Sequence, residues 1–311
     1  MGVIPKYLAG GARLLVSSDG SGEEGLEVHY TDQRTKGQRL PLDPQVLGVP
    51  VDMATSPVDP YAAIVNHRNE LLLLNLTTNK LVTVDVCTDT EPMCGLAFSP
   101  CGSWLAYEYR TGRRMSVIRV CDVRSGKCVD VTQGNHMDVS PAWDPQGCYL
   151  YFISSRDYEP YQDELHEVGM GFTKAQKPYL ITLRADVSNP LLPDLRPPGD
   201  DDDETEEEEE DEEQEEEESA EEESETDDAP SDEKARKAQR DAWYEGIKES
   251  SRPKPIKINF KGIRQRIIAL PVPIRRYGQL VGLKNKCLMY TSFGESNRPI
   301  GFDDDSDDEC G

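Results

Sequence analysis

The 311-residue sequence predicts an all-β fold, a β-propeller of about five blades. The first observation is a proline turn followed by an apolar strand, which recurs from Pro57, Pro100 and Pro145 at spacings of 43 and 45 residues. A period of this length, built from short strands, is typical of propeller blades. The second observation is that the first two copies continue with the same order of strands and polar turns. A β-sandwich with coincidental turns is the alternative, and the shared period favours the propeller.

Each copy of the repeat has the residue types that a turn and a buried strand require. Proline presets its backbone angle at the second turn position, and Gly102 or Gly147 tolerates the conformation that closes the turn. The run Trp104-Leu105-Ala106-Tyr107 then fits a strand buried between blades. A short apolar run does not by itself exclude a buried helix, so the period carries the prediction.

The remaining strands follow in chain order. An early, looser copy has strands at 14–20 and 26–30. The next two copies have second strands at 71–76 and 115–121 and third strands at 81–86 and 128–132. A later copy starts near Gly262, with strands at 266–273 and 287–292.

These patterns divide the chain into four parts. Propeller blades occupy 11–186, an acidic insertion 187–254, a further blade 255–295 and an acidic tail 296–311. Residues 200–233 alone hold 25 acidic and no basic residues, without an apolar pattern. Such a segment cannot bury enough apolar surface to offset the entropy of ordering, so we expect it to be disordered. Residues 234–248 have mixed charge and few helix breakers, which favours a short helix.

Composition excludes several function classes. The net charge is −25, but outside the acidic run the other 34 acidic residues balance 34 lysines and arginines. We therefore expect no nucleic-acid binding, which needs a clustered basic surface. No apolar run approaches the roughly 20 residues that span a membrane, so we expect no membrane partner. No cofactor motif is present, and we expect no cofactor.

The eight cysteines indicate a reduced, cytoplasmic setting. None forms a CxxC pair, and several lie in predicted strands, where a free cysteine behaves as a small apolar residue. The first residues have no secretory pattern. Met1-Gly2 starts like a myristoylation signal, but Lys6 stands where serine or threonine is required.

One trio of residues has the composition of a catalytic triad. His136 stands beside Asp138 and Ser140. Triads are assembled from distant segments, because neighbours along a strand or turn point in different directions. We therefore expect no catalysis from this trio.

The other histidines do not indicate a catalytic or metal site. We expect His67 to make a structural hydrogen bond within a blade, and His29 has no partner pattern. His166 lies among acidic residues that could weakly bind a metal but fit a solvated loop or short helix better; these are Asp163, Glu164 and Glu167. The sequence thus predicts no catalytic, cofactor-binding or metal-ligating residue.

Four irregular phrases resemble the second, seven-bladed propeller of the tricorn protease family in order and spacing, over most of residues 11–295. They are Asn66-His67-Arg68-Asn69-Glu70-Leu71 with the leucine-rich run to 76, Pro141-Ala142-Trp143-Asp144-Pro145 through 151–158, Gly171-Phe172 with 177–186, and Pro255-Ile256-Lys257-Ile258-Asn259-Phe260 through to Tyr277. The acidic insertion falls where relatives carry a variable charged loop.

The resemblance implies a large cytosolic serine peptidase that trims peptides released by the proteasome. In that family two propellers feed and drain a catalytic chamber, while PDZ-like and α/β domains carry the serine, the histidine and the oxyanion hole. This chain matches about five of the seven blades and contains no match to the catalytic domains. We therefore expect it to gate peptides and to catalyse nothing alone.

Two other functions stay open. A stand-alone propeller could use its acidic loop to hold basic partners, and a propeller lid could serve a separate oligopeptidase-type hydrolase. Incomplete rings leave open sheet edges, so self-association is also expected.

Overall fold

The structure is a computed structural model, and it describes residues 5–20, 22–31, 37–89, 91–157, 159–162, 170–192 and 253–293. The chain divides into two units. The first comprises Met1–Ser188 and Arg252–Gly311 and contains all the strands described below. The second is Asn189–Ser251, of which residues 189–192 are described; they form a turn in which the Leu192 N–H donates to the Asn189 carbonyl at 3.2 Å.

Three antiparallel four-stranded sheets come first in the chain, each in consecutive strand order. The first blade has β1 (Pro5–Tyr7), β2 (Arg13–Ser18), β3 (Gly25–Tyr30) and β4 (Gln38–Arg39). A short helix, α1 (Pro44–Leu47), leads to the second blade, with β5 (Pro50–Thr55), β6 (Tyr61–Asn66), β7 (Glu70–Asn75) and β8 (Lys80–Val86). The third has β9 (Cys94–Phe98), β10 (Trp104–Gly112), β11 (Met115–Asp122) and β12 (Cys128–Asp130).

The fourth blade is interrupted and the fifth is partial. The fourth has β13 (Asp138–Trp143), β14 (Tyr149–Ser154), β17 (Lys177–Thr182) and β18 (Ile267–Ala269), with the hairpin β15 (Glu159–Gln162) and β16 (Met170–Lys174) inserted after β14. A 3-10 turn, Ile263–Gln265, precedes β18. The fifth sheet has two described strands, β19 (Arg276–Gly282) and β20 (Leu288–Phe293).

The first strands of successive sheets contact one another in turn. β1 touches β5, β5 touches β9, β9 touches β13 and β13 touches β19. This radial order, with the inner strand of each sheet against the inner strand of the next, is that of a propeller. The predicted fold class, a β-propeller of about five blades, is confirmed.

The predicted turn closes in the same way in three blades. The residue before each turn donates its backbone N–H to the first residue of the following strand: Ser56 to Tyr61 at 2.9 Å, Ser99 to Trp104 at 2.8 Å, and Asp144 to Tyr149 at 3.1 Å. Gly102 and Gly147 both have φ of +72°. The left-handed conformation favours glycine, as the sequence predicted.

Apolar cores fill the spaces between neighbouring blades. Leu15 and Leu26 of the first blade pack with Ile64 and Leu72 of the second. Trp143 and Phe152 of the fourth share a core with residues of the third. Each fully buried leucine or phenylalanine contributes about 1.5–3 kcal/mol to the free energy of folding. The packing between blades is therefore a main source of the protein's stability.

The later strands are arranged differently from the sequence prediction. Both predicted strands exist, but they belong to different sheets: β18 pairs with β17 through Ile268 opposite Leu180, and so completes the fourth blade. The acidic insertion separates the third and fourth strands of one blade, which hides the repeat in the sequence. The segment that follows the acidic insertion is bound to the third blade, because the Trp104 Nε1–H donates to the Ile256 carbonyl at 3.0 Å.

Residues 193–252 and 294–311 include most of the predicted acidic insertion, its short helix and the acidic tail, and these lie outside the described residues. No helix in the described part of the chain is long and apolar enough to cross a membrane.

Candidate functional site: the inner wall of the ring

The inner strands of the second to fifth blades form the candidate site. We call β5, β9, β13 and β19 the inner wall. Each stands at the end of its sheet and pairs with one strand, so its other backbone edge faces the middle of the ring. Those edges present N–H and C=O groups that no strand of the same sheet uses.

Every strand of the inner wall contains a β-bulge. The pairing register shifts once in each strand, where the inner strand holds one more residue than its partner. The shifts lie between Pro50 and Asp52 of β5, between Val139 and Ala142 of β13 and between Tyr277 and Leu280 of β19; in β9 the shift lies opposite Ala106 and Glu108 of β10. Gly95 in β9 and Ser140 in β13 have φ of +65° and +53°. Bulges bend a strand and are common beside functional sites.

Asp52 stabilises the first of these bulges. Its carboxylate accepts a hydrogen bond from the Met53 N–H at 2.8 Å. The backbone N–H groups of Gly95 and Leu96, in the next blade, lie close enough to lower its pKa. Burial raises the pKa of Asp52, against the lowering effects of Lys6 and of these backbone N–H groups.

Glu108 makes the equivalent connection one blade further on. Its Oε1 accepts the Ser140 N–H at 2.7 Å, and Arg110 lies 3.9 Å from Oε2. Burial raises the pKa of Glu108, the Ser140 hydrogen bond and Arg110 lower it, and Asp52 raises it further. Gly95 is required beside it, since a Cβ there would lie 2.7 Å from Oε1.

Gln176 joins the fourth blade to the fifth. Its Oε1 accepts the Tyr277 N–H at 3.0 Å, and its own carbonyl accepts the Arg275 N–H at 3.0 Å. Glu108 and Gln176 thus each accept a hydrogen bond from a backbone donor of the next inner strand, and Asp52 lies beside β9 in a similar position. These hydrogen bonds set the spacing between neighbouring strands of the inner wall.

A buried ion pair lies where β13 begins. Arg156 Nη2 is 3.0 Å from Asp138 Oδ2, and the Ser154 hydroxyl donates to Oδ1. Asp138 is fully buried, and the Arg156 guanidinium lies 5.1 Å from the centre of the Tyr179 ring. The charge of Asp138 is thus paired and hydrogen-bonded, as burial requires.

His136, Asp138 and Ser140, the trio that resembled a triad, each have a different partner in the structure. The Asp138 carboxylate is held by Ser154 and Arg156, and Ser140 donates its backbone N–H to Glu108. The carbonyl of His136 accepts the Ser116 N–H at 3.0 Å. None of these contacts joins a serine hydroxyl to an imidazole.

The other histidines have structural roles where they are described. His67 Nδ1 accepts the Val49 N–H at 2.9 Å, which is the structural hydrogen bond expected of it. His29 Nε2 lies 3.0 Å from Glu27 on the surface of β3. His166 and its acidic neighbours lie outside the described residues. Within the described residues, no group of three or more His, Cys, Asp or Glu side chains could hold a metal.

Sequence reasoning missed two carboxylates, Asp52 in the inner wall and Glu108 in β10, which contacts it. Glu108 carries a detectable signal, because it interrupts the apolar run that begins at Trp104, and a charge within a buried strand needs a partner. Asp52 carries no such signal, since a bulge does not show in strand periodicity.

What the inner wall can do chemically is to hold an extended chain. Unpaired strand edges bind peptides by main-chain hydrogen bonds. Asp52 and Glu108 are already committed to backbone donors, so the wall offers few free charges.

Comparison with known proteins places this fold in a family. Residues 5–299 match the family model described as the tricorn protease second beta propeller domain. Tricorn protease homolog 1 of Streptomyces coelicolor is 28% identical over 177 residues, which cover 57% of this chain and 16% of that protein. Tricorn protease of Thermoplasma acidophilum is 27% identical over 135 residues, covering 42% of this chain and 12% of that protein.

A solved structure gives the same fold. The crystal structure of the tricorn protease superposes with a TM-score of 0.61 at 17% identity, over 91% of this chain and 23% of that one. The chain spans less than a fifth of the length of the two curated relatives. The family match extends over nearly the whole chain, and this chain belongs to the family of the tricorn protease second β-propeller domain.

Proposed function

We propose that this chain is the substrate-gating propeller of a tricorn-like serine peptidase that degrades peptides released by the proteasome in the cytoplasm. Family membership supports the link to a peptidase. In this proposal the catalytic residues belong to other parts of that peptidase, because a serine nucleophile needs an imidazole base and the histidines His29 and His67 bond instead to Glu27 and to the Val49 backbone.

The observation that carries the proposal is the fixed spacing of the inner wall. Glu108 and Gln176 each connect one blade to the next inner strand by a hydrogen bond, to Ser140 in the bulge of β13 and to Tyr277 beside that of β19. Asp52 lies at the bulge of β5, beside Gly95 and Leu96 of β9. An opening bordered by fixed strand edges admits an extended peptide and rejects a folded domain. Main-chain hydrogen bonds do not depend on side-chain identity, so a wall of strand edges tolerates many peptide sequences.

An alternative function is a stand-alone interaction module that holds basic partners. Its support is the run of 25 acidic residues within 200–233. Binding of that kind is electrostatic, and salt screens it over a Debye length of about 8 Å at physiological ionic strength.

Peptide photo-cross-linking separates the two functions. A neutral, extended peptide carrying a benzophenone group is irradiated with the full chain, and the attachment sites are mapped by mass spectrometry. The gating function predicts attachment on β5, β9, β13 or β19, at a yield that changes little with salt. A lysine-rich peptide of equal length is the matched probe for the interaction module.

The two functions predict different attachment sites on the chain and a different dependence of the yield on salt. Attachment of only the lysine-rich peptide, within 187–254 and abolished by high salt, would replace gating with the interaction module. Attachment of the neutral peptide to outer strands such as β8 would contradict both functions.

A further inference from the structure

Two free cysteines face each other across neighbouring strands of the third blade. Cys121 of β11 is directly opposite Cys128 of β12. Directly opposite side chains of an antiparallel pair lie on the same face of the sheet, and the Cys121 and Cys128 thiols are near the Asp122 and Gly126 carbonyls, at 3.5 and 3.6 Å. No other cysteine has a cysteine opposite it in the strand pairs that the structure describes.

The register gives this pair a geometry that a disulfide can adopt. The flanking positions are hydrogen-bonded, since the Asp122 N–H donates to the Lys127 carbonyl at 3.0 Å and the Val131 N–H donates to the Ile118 carbonyl at 2.9 Å. Pairs alternate along an antiparallel ladder, so Cys121 and Cys128 form a non-hydrogen-bonded pair. The Cα atoms of such pairs are about 4.5 Å apart, inside the range of about 4.4–6.8 Å found for disulfides.

The two thiols differ in access and in electrostatic surroundings. Cys121 is fully buried, whereas Cys128 is half-buried on an outer strand. Arg119, two residues from Cys121 on the same face, pairs with Asp130 at 2.6 Å and with Asp85 of the second blade at 2.7 Å. The Tyr107 hydroxyl lies beside Cys128 and donates its proton to Asp85 at 2.6 Å.

These surroundings favour one thiolate. The neighbouring Cys121 thiol lowers the pKa of Cys128 to about 7, against burial and Asp85, and the Tyr107 hydroxyl and Arg119 add to the lowering. The neighbouring Cys128, with burial and nearby acidic groups, raises the pKa of Cys121. Cys128 is also the more accessible of the two thiols, so we assign the attacking thiolate to Cys128.

We propose that Cys121 and Cys128 form a reversible redox pair, which a peroxide oxidises to a cross-strand disulfide that fastens β12 to β11. Cys128 is the accessible member of the pair, and it lies on β12, an edge strand of three residues. A covalent link at its first residue would hold this edge of the blade.

The chemistry balances without any other group. The Cys128 thiolate attacks one peroxide oxygen, the O–O bond breaks, and the departing hydroxide takes up a proton to leave as water. The sulfenic acid so formed is attacked by the Cys121 sulfur. The S–S bond forms, and the sulfenic oxygen leaves as a second water with the Cys121 proton. Two thiols and one peroxide give one disulfide and two waters, and a dithiol such as dithiothreitol reverses the oxidation.

Disulfide mapping on the full chain tests the proposal. The protein is treated with hydrogen peroxide, alkylated, digested with trypsin and analysed without reduction. Trypsin cuts after Arg124 and Lys127, so the disulfide joins peptides 120–124 and 128–156. We expect this linked pair as the main oxidation product, and its disappearance after dithiothreitol.

Two variants distinguish the pair from chance oxidation. Peptide 128–156 also holds Cys148, so Cys148→Ser is the matched control and should retain the link. Cys128→Ser should lower the yield of peptides linked to Cys121 by about ten-fold or more, because the attacking thiolate is gone. If Cys128→Ser fails to fold, the wild-type protein with and without dithiothreitol, together with Cys148→Ser, still decides the question.

The contrary result is equally clear. If Cys121 and Cys128 both remain reduced and alkylatable at peroxide concentrations that oxidise the exposed Cys287, the redox pair does not exist. A link from Cys121 that persists in Cys128→Ser and vanishes in Cys148→Ser would also overturn it.

Discussion

The backbone N–H of Ser140 donates a hydrogen bond to the Glu108 carboxylate at 2.7 Å, and it joins the third blade to the inner strand of the fourth. Ser140 has a φ of +53°, a conformation that costs a non-glycine residue about 1–3 kcal/mol unless its surroundings hold it. The carboxylate thus fixes the bulge of β13. The hydrogen bond from Tyr277 to Gln176 is a second such connection along the inner wall, and the proposed gating function depends on both.

Glu108→Ala should destabilise the protein by about 1–3 kcal/mol, because the buried Ser140 N–H loses its acceptor. Chemical unfolding followed by tryptophan fluorescence measures the loss. Glu108→Gln is the matched control, since its amide oxygen can accept the same hydrogen bond. Equal losses in the two variants would show that the bond to Ser140 is unimportant.

The stability of the protein should fall as pH rises because of Glu108. Burial raises its pKa in the folded state, so the folded protein binds this proton more tightly than the unfolded chain does. The contribution of Glu108 to the free energy of unfolding is fully present below the ordinary glutamate pKa, and it is lost as pH rises through the raised pKa.

Glu108→Gln removes this titration while Asp52 remains in both proteins. The difference in free energy of unfolding, wild type minus variant, should therefore decrease as pH rises above the ordinary glutamate pKa. Unfolding midpoints at several pH values measure this difference. A difference that is constant or increases with pH would contradict a raised pKa.

Gly95→Ala should be more harmful than Gly126→Ala. Both glycines have positive φ, +65° and +69°, so each alanine incurs about 1–2 kcal/mol of backbone strain. At Gly95 the new Cβ would also lie 2.7 Å from Glu108 Oε1, whereas at Gly126 its closest neighbour is Val84, 4.0 Å away. We expect about 1–3 kcal/mol of additional loss at Gly95. Equal unfolding midpoints would contradict the close packing of Glu108 beneath β9.

Arg156→Met should cost about 3–5 kcal/mol, because it leaves the fully buried Asp138 without its counter-charge. The control is Arg184→Met. Arg184 pairs with Asp186 at 3.4 Å on the surface, and such a pair contributes about 0–1 kcal/mol. Thermal unfolding of the two variants compares them, and similar losses would mean that Asp138 finds another partner.

The exposed apolar face of the two described strands of the fifth blade should cause self-association that a single charge reduces. Val281, Met289 and Phe293 share one face of β19 and β20, and each is 43% or more exposed. Met289→Lys should shift sedimentation towards monomer, since lysine on an exposed sheet discourages pairing between chains. Val82→Lys, at an exposed apolar position of the four-stranded second blade, is the control. An equal effect of both substitutions would point to a different surface.

The blades could be predicted from the sequence, but the contacts of the inner wall could not. The proline turns at Ser56, Ser99 and Asp144 obey local rules, and so they could be predicted with their strands. The pairing of β18 with β17 could not, because the insertion places about 85 residues between partners and removes the periodic signal.

The contacts between blades escaped prediction for a related reason. The hydrogen bond from Ser140 to Glu108 spans 32 residues, and the one from Tyr277 to Gln176 spans 101. Such contacts depend on bulges that a period of two residues per strand does not reveal. His67 was predictable, because its hydrogen bond to Val49 lies within one repeat.

The size of the native protein that contains these blades tests the central claim most directly. An immunoblot of cell extract with an antibody against residues 60–150, confirmed by intact mass, gives that size. A propeller that gates a tricorn-like peptidase predicts a species several times heavier than the 34.8 kDa of this chain, and co-purifying serine peptidase activity. A single species at 34.8 kDa, with no associated peptidase, would contradict the gating function and leave the interaction module.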